Sequence, residues 1–541
     1  VLAAWIDSWE DRAMRRRDVM VAAAGSLAAL ALPRPSIAQP AKVATLRFVP
    51  QANLTLLDPM FTTAIVTANH GYYVFDTLYS NPADGQPRPQ MAEGHEISPD
   101  GRIWRIRLRE GLLFHDGTPV RATDCIASIA RWSKRDAFGQ LLAAVTDSMK
   151  PADDRTIEIR LTRPFPLLAT ALGKPDSSVA FIMPERLAKT DANTQVTEMV
   201  GSGPYKFIAS EFNSGSHVAY EKFAGYVPRS EPADWGTGGK VAYYPRIEWS
   251  IIPDSATAAG ALQNGEIDWW EQPLTDLLPS LTRDRAITLQ IANPQGNESL
   301  MRLNQLQPPF DDVAIRRAVL LGINQDDYMR ATFGDDTSLW RTCYSEFPCG
   351  TLYETDDPEH LMKGDLAAAT AALKATSYAG QRVAVLSPTD FPAIRPLCQV
   401  TADLLKKMGM NVDLQEMDWG TVVQRRASME PVEKGGWSVF HTFGSSGGFA
   451  TPATSPLVRG QGKQGWFGWW SSPAVEQLTQ EWLAAPDVAT QKKVASQIAN
   501  LAMREVATIP LGLSFGKTAF RKSITGVLQG VAPYPWNVRP A

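Results

Sequence analysis

Stretches that alternate apolar and polar residues, as strands do, take turns with stretches of helical period along almost the whole chain. This alternation is the strongest constraint on the fold. Strand-like runs fall at 43–49, 103–108, 156–161, 205–210, 246–252, 300–304, 383–387, 411–415, 437–443 and 508–513, and helix-like runs at 67–78, 124–133, 255–265, 313–322, 366–375, 394–408 and 491–504. Thr123 reads as the cap of the helix 124–133, and Asp116-Gly117 as a hairpin turn. Strands interleaved with helices imply an α/β architecture in layers. At 541 residues the chain exceeds one domain, since domains run ~100–200 residues. No internal repeat and no long low-complexity linker divides it, so the expected domains pack closely and exchange segments.

The balance of 53 Lys+Arg against 57 Asp+Glu gives a formal net charge of -4, and 44% hydrophobic with 20% charged residues excludes general disorder. No basic block exists beyond Arg15-Arg16-Arg17, which argues against nucleic acid as a partner. Sixteen Trp point to a surface that grips something by aromatic contact.

The three arginines precede an apolar run at 19–32, and Ser36-Ile37-Ala38 supplies a small-residue end. That pattern predicts an export signal over 1–38, cleaved after Ala38. The run is shorter than the ~20 residues that span a bilayer, so no permanent anchor is expected. Residues ahead of Met14 do not resemble a signal start, which makes Met14 the candidate initiator. Arg16-Arg17 is loosely similar to a twin-arginine motif, while Asp18 and the missing bulky aromatic suit ordinary Sec export as well. No Cys lies in 1–38 to carry a lipid, so the expected product is an unanchored exported protein.

Export permits disulfides. Cys343 and Cys349 sit close together, with Pro348 and Gly350 to turn the chain, and a local disulfide is expected between them. Cys125 and Cys398 fall in helical patterns and read as small buried residues. A metal site is the rival reading, but Cys-x-x-Cys, His-x-His and His-x-x-x-His are all missing, so no metal and no cofactor is expected.

Two enzyme motifs occur. Gly444-Ser445-Ser446-Gly447-Gly448 satisfies Gly-x-Ser-x-Gly, whose chemistry needs strand, sharp turn, helix and a later His. Thr451-Pro452 and Ser455-Pro456 argue against a helix, and the last His is His441, so a flexible loop is expected. Gly460-Gln461-Gly462-Lys463-Gln464-Gly465 matches Gly-x-Gly-x-x-Gly but leads to Trp466-Phe467-Gly468 rather than to a helix, and also reads as a loop. The pairs Asp311-Asp312, Asp335-Asp336 and Asp356-Asp357 read as turns and helix caps.

Several segments together resemble extracellular solute-binding protein family 5, the dipeptide-, oligopeptide- and nickel-binding proteins that feed ABC importers. Trp104-Arg105-Ile106-Arg107-Leu108-Arg109-Glu110-Gly111-Leu112-Leu113-Phe114-His115-Asp116-Gly117-Thr118-Pro119-Val120 is similar to the family's hallmark run, and Ala122-Thr123-Asp124 to the start of its following helix. Leu57-Asp58-Pro59, Val74-Phe75-Asp76-Thr77-Leu78-Tyr79, Gly201-Ser202-Gly203-Pro204-Tyr205, Asn264-Gly265-Glu266-Ile267-Asp268 and Phe310-Asp311-Asp312-Val313-Ala314-Ile315-Arg316-Arg317-Ala318 keep family order. The resemblance implies an α/β cluster C (type II) periplasmic-binding-protein fold, two lobes on a hinge plus an inserted subdomain. Lobe I is expected at 39–75, 201–275 and 511–541, the insertion at 76–200 and lobe II at 276–510. It also implies a small organic solute held between the lobes, an inner-membrane ABC permease as partner, and no catalytic residues. The chain is expected to act as a monomer.

Aromatic walls and a few polar groups make such a cleft. Tyr72, Tyr73, Trp269, Trp270, Trp419, Trp437, Phe443, Trp466 and Trp469 are the aromatic candidates, and Asn69, His70, His441 and Ser445 the polar ones. Dipeptide-binding relatives carry an Asp soon after a Gly-Trp to pair with the peptide ammonium. Here Gly436-Trp437 is followed by no nearby acid. A buried cation without a counter-charge is costly. Short free peptides are therefore not the expected best ligand unless Glu416 or Asp418 substitutes. A metal-chelate or haem carrier of the same fold is the alternative binder, and an exported hydrolase the alternative of another class.

Overall fold

The computed structural model describes residues 44–355, 359 and 361–541; the expected export segment and the Asp356-Asp357 pair lie outside them. Two mixed sheets carry the chain. The first has seven strands in the order Tyr205–Phe207, His217–Lys222, Arg246–Ser250, Thr45–Val49, Trp269–Trp270, Lys517–Arg521 and Ile287–Ile291. Thr45–Val49 is central and runs parallel to both neighbours. Its Leu46, Phe48 and Val49 are buried, as expected of a parallel strand covered on both faces. Phe48 meets Trp269 edge-on with ring centroids 4.9 Å apart.

The second sheet has six strands in the order Trp340–Arg341, Ile509–Ser514, Asn297–Leu303, Val439–Ser445, Arg382–Pro388 and Asn411–Met417. The last two are parallel, and the helix Arg395–Lys407 between them supplies the crossover that a parallel pair needs. Its Leu397, Cys398, Thr401, Ala402 and Leu405 form the buried face.

The chain passes between the sheets at two neighbouring places, from Ile291 to Asn297 and from Ser514 to Lys517, and Ala292 N–H donates to Gly516 C=O at 2.9 Å across them. Both crossings fall later than the expected lobe boundaries at 275/276 and 510/511. The reason is pairing: Ile287–Ile291 registers against the whole of Lys517–Arg521 in the first sheet, whereas Ile509–Ser514 pairs with Asn297–Leu303 in the second.

Residues 76–200 carry a separate antiparallel sheet, Ala92–Ile97, Ile103–Leu108, Thr156–Leu161 and Thr146–Asp153 in that order. In Ile103–Leu108 the alternation sends Trp104, Ile106 and Leu108 inward and Arg105 and Arg107 outward. The helix after it begins at Ala122, and Asp124, rather than Thr123, provides the cap by accepting Arg121 N–H at 2.8 Å. His115 ties this subdomain to the next motif. Its backbone N–H donates to Gly201 C=O at 2.8 Å, and its ring lies between Gly203 C=O at 3.0 Å from Nε2 and Gly201 N–H at 3.4 Å from Nδ1. That arrangement requires the neutral ring, and burial lowers its pKa to about 4. A side chain at Gly203 would bring Cβ within 2.6 Å of Tyr73 C=O, so the turn must be bare there.

Candidate functional site

The two sheets face a cleft whose walls come from both. From the first sheet and its flank stand Gln51, Trp269, Glu271 and Thr518; from the second, Asn297 and Phe443; the insertion adds Asp176. An adjoining chamber shares Gln51, Gln272, Asn297 and Phe443 and extends to Phe333, Phe391 and Lys517. Trp269 is fixed by donating Nε1–H to Thr518 Oγ1 at 2.7 Å. Phe443 packs edge-on against Phe391, which meets Trp419 in the same way at 5.1 Å.

Two buried acids occupy this cleft. Glu271 Oε2 accepts the Gln51 backbone N–H at 2.7 Å and Oε1 accepts Asn69 Nδ2 at 3.0 Å. Burial nevertheless raises its carboxyl to about 7, against the lowering effect of those two bonds. Asp176 adopts a left-handed backbone (φ 78°) and crosses to the second lobe, where Oδ2 accepts Ser445 N–H at 2.9 Å and Ser445 Oγ–H at 3.0 Å. Its carboxyl is also raised, first by burial. Among the described residues no cation lies within ion-pair distance of either acid.

The Gly444–Gly448 stretch is therefore a seat for Asp176. The expected flexible loop is instead a single helical turn, Ser446–Phe449, capped by Ser445, whose Oγ accepts Gly448 N–H at 3.1 Å. A Cβ at Gly448 would sit 2.5 Å from Asp176 Oδ2. Ser446 Oγ donates to Gly296 C=O, and among the described residues no histidine is hydrogen-bonded to it. In the second glycine-rich segment, Gly462–Gln464 is a short 3-10 turn.

The remaining expected residues are distributed more widely. Trp419 stands over Arg426, with the guanidinium 5.7 Å from the ring centre. Trp466 and Trp469 line a separate cavity between the insertion and the second lobe. Trp270 lines a groove that shares Gln51 and Gln272 with the cleft and takes in Asp390 and Pro392. Asn69 reaches the cleft only through Glu271. Tyr72 packs on Phe181 of the insertion and on Tyr534, and Tyr73 on Tyr220 and Trp249 inside the first lobe. His70 Nδ1 meets Tyr220 Oη at 2.8 Å and His441 Nε2 meets Thr401 Oγ1 at 2.7 Å, both buried, with burial lowering each ring to about 3. Trp437 is fully buried against Phe440 and Trp469.

The two acids considered as substitutes are engaged elsewhere. Glu416 Oε1 accepts Arg395 Nη2 at 2.7 Å on the surface, and Asp418 caps the helix Trp419–Arg425 by accepting Thr421 N–H at 3.0 Å. Asp312 likewise caps Val313–Leu321. Cys343 and Cys349 are joined by a disulfide with an S–S distance of 2.14 Å, while Cys125 and Cys398 are free and buried. Among the described residues no group of three or more His, Cys, Asp or Glu could hold a metal ion, and no helix is long and apolar enough to cross a membrane.

The profile of bacterial extracellular solute-binding proteins, family 5 Middle, matches residues 86–459. The chain belongs to this family. A probable peptide ABC transporter periplasmic-binding protein, y4tO of Sinorhizobium fredii (strain NBRC 101917 / NGR234), is 35% identical over 532 residues, 97% of this chain and 99% of the relative. The glutathione-binding protein GsiB of Pectobacterium atrosepticum is 27% identical over 413 residues, 75% of this chain and 76% of that protein. The solved structure of the periplasmic binding protein DppA from Helicobacter pylori, in complex with peptide STSA, superposes with a TM-score of 0.75 at 19% identity, covering 92% of this chain and 98% of that one. The architecture is the two-lobed type II periplasmic-binding-protein fold. Family 5 proteins bind solutes, and the chain's cleft between two sheets is the place its fold provides for one.

Proposed function

We propose that this protein is the periplasmic component of an ABC importer and that it captures a peptide-like solute carrying a free ammonium group. The relative from Sinorhizobium fredii, named for peptide transport and matched over nearly its whole length, supports the transport role. The observation that carries the ligand reading is Glu271, a buried carboxyl on an aromatic-walled cleft with no cationic partner among the described residues. An ammonium bound there lets the carboxyl ionise at no net charge, which removes the cost that raises its pKa. Asp176, contributed by the insertion, lines the same cleft as a second acceptor. Glu271 thus takes the place of the missing acid near Trp437, and short peptides return as candidate solutes.

Binding of a panel of tripeptides with free N-termini, and of the same peptides N-acetylated, tests this by thermal shift on the full chain. Free-amine peptides should raise Tm and acetylated ones should not, and Glu271→Gln should weaken the response about tenfold or more. Equal responses to both panels would refute the ammonium reading.

A further inference from the structure

The Cys343–Cys349 disulfide lines neither chamber of the cleft, yet its contacts lead to the hinge. The chain leaves the second sheet at Ser514 and enters the first at Lys517. The second lobe grips this crossing at three successive places. Gln325, fully buried at the start of the helix Gln325–Phe333, donates Nε2–H to Pro510 C=O at 2.9 Å. Trp340–Arg341 pairs with Ser514 and Leu513. Leu339 C=O then accepts Phe515 N–H at 2.7 Å, and the Arg341 guanidinium lies 5.5 Å from the centre of the Phe515 ring. The grip ends there. A Cβ at Gly516 would meet no atom within 4 Å among the described residues, and Lys517 already pairs with Ile291 of the first sheet. Phe515 also touches the other crossing, since a Cβ at Gly296 (φ 81°) would sit 3.0 Å from Phe515 Cε1. The ring therefore stands between Arg341 and the bare backbone of Gly296, and both crossings share it.

Arg341 is exposed, and a free arginine at a surface spreads over many rotamers. Here it is held: Nη2 donates to Cys349 C=O at 2.7 Å. Cys349 is joined by the disulfide to Cys343, whose Sγ also accepts the Cys349 N–H at 3.0 Å. Cys343 is the fixed end. Its N–H donates to Gln325 Oε1 at 2.6 Å, and its C=O accepts Gln325 Nε2–H at 2.8 Å. One buried glutamine thus anchors both the crossing strand and the disulfide. The S–S bond carries that fixity to Cys349, and Cys349 C=O passes it to Arg341.

We infer that the Cys343–Cys349 loop is a redox-sensitive brace of the hinge. Intact, it keeps Arg341 on Phe515 and confines bending of this crossing to Gly516; reduced, it frees Arg341 and lets the crossing loosen back toward Ser514. A dithiol reductant opens it by two exchanges. One thiolate of the reductant attacks a cysteine sulfur, the S–S bond breaks and a mixed disulfide forms; the second thiolate then displaces that cysteine. Both cysteines end as thiols and the reductant leaves as its own disulfide. The brace acts on opening and closing whatever solute is carried, so its failure would leave the importer reading intact.

Hydrogen exchange on the full chain reads the brace at the Phe515 amide, which Leu339 C=O protects. Reduction with dithiothreitol should raise exchange there about threefold or more, the weight of an exposed cation–π contact, and leave the strand Arg382–Pro388 of the same sheet unchanged. Arg341→Gln in the oxidised chain should do the same. Reduction of the Arg341→Gln chain should add nothing further, because both changes remove one contact. The radius of gyration of the unliganded parent, from solution X-ray scattering, should rise on reduction. Exchange at Phe515 that reduction leaves unmoved, or that rises together with Arg382–Pro388, would overturn the inference. So would an unchanged radius, or an effect of reduction as large in Arg341→Gln as in the parent. If the reduced chain does not stay folded, Arg341→Gln in the oxidised chain decides: a rise confined to the crossing supports the brace, and no rise overturns it.

Discussion

Glu271, Arg302 and Arg426 are all charged-type side chains removed from water, and each is accommodated differently. Arg302 is ringed by carbonyl acceptors, the Glu271 carboxyl is pushed up by burial to about 7, and Arg426 rests on three aromatic rings. For Glu271 the consequence is a pH dependence of known sign. In the unfolded chain its carboxyl titrates near 4.5, and in the folded protein at about 7. Between those values the unfolded chain gives up a proton that the folded one keeps, so this residue lowers stability as pH rises from about 4.5 to 7, by roughly 3 kcal/mol at the plateau. Glu271→Gln removes that term. The difference in Tm, variant minus parent, should therefore become more positive between pH 5 and pH 8. A difference that stays flat over this interval would show that Glu271 is ionised in the folded protein. At this scale the sequence was partly informative. It marked Trp269, whose neighbour two residues on is Glu271, and Phe443, which lines the cleft. It gave no sign of Asp176 or Arg426, because a lone acid after Pro175 and an arginine pair at a helix end look the same whether solvated or buried. The burial of Tyr73, His70, Trp437 and His441 within single lobes is set by partners far away in the chain, which local pattern does not reveal.

Among the elements, the segment that carries Asp176 holds the insertion against the second lobe. Asp176 accepts two hydrogen bonds from Ser445, and the lobes also meet where Trp466 Nε1 reaches Thr63 Oγ1 at 3.3 Å and Arg459 Nη1 reaches Ala137 C=O at 3.1 Å. Hydrogen bonds to a charged group contribute about 1.5–3 kcal/mol each. Asp176→Ala should accordingly favour the open form of the unliganded protein by about tenfold or more, seen in solution X-ray scattering as a larger radius of gyration. An unchanged radius would mean that the Ser445 contact does not hold the lobes together. Element type was legible wherever period and burial agree, as in Ile103–Leu108 and in the helix Arg395–Lys407. The lobe boundaries were not. Nothing local to Ile287–Ile291 says that its partner is Lys517–Arg521, more than two hundred residues away, and that pairing decides which sheet it joins.

Across the whole molecule, two short neighbouring crossings join two sheets, an arrangement that permits hinge closure about the solute. The cleft draws Glu271 and Trp269 from the first lobe and Asn297 and Phe443 from the second, so a solute held there touches both lobes. Ligand contact with both lobes is what biases such a hinge toward the closed state. The family resemblance was legible because its motifs serve the framework: His115 fastens the hairpin to the Gly201-Ser202-Gly203 turn, a contact independent of which solute is carried. The solute-determining residues belong to no such motif. Native mass spectrometry of the gently purified full chain tests the central claim most directly, by weighing whatever small molecule leaves with the protein. The account predicts a peptide-like adduct bearing a free amine, reduced in Glu271→Gln. A bound metal chelate, haem or neutral solute that survives that substitution would contradict it.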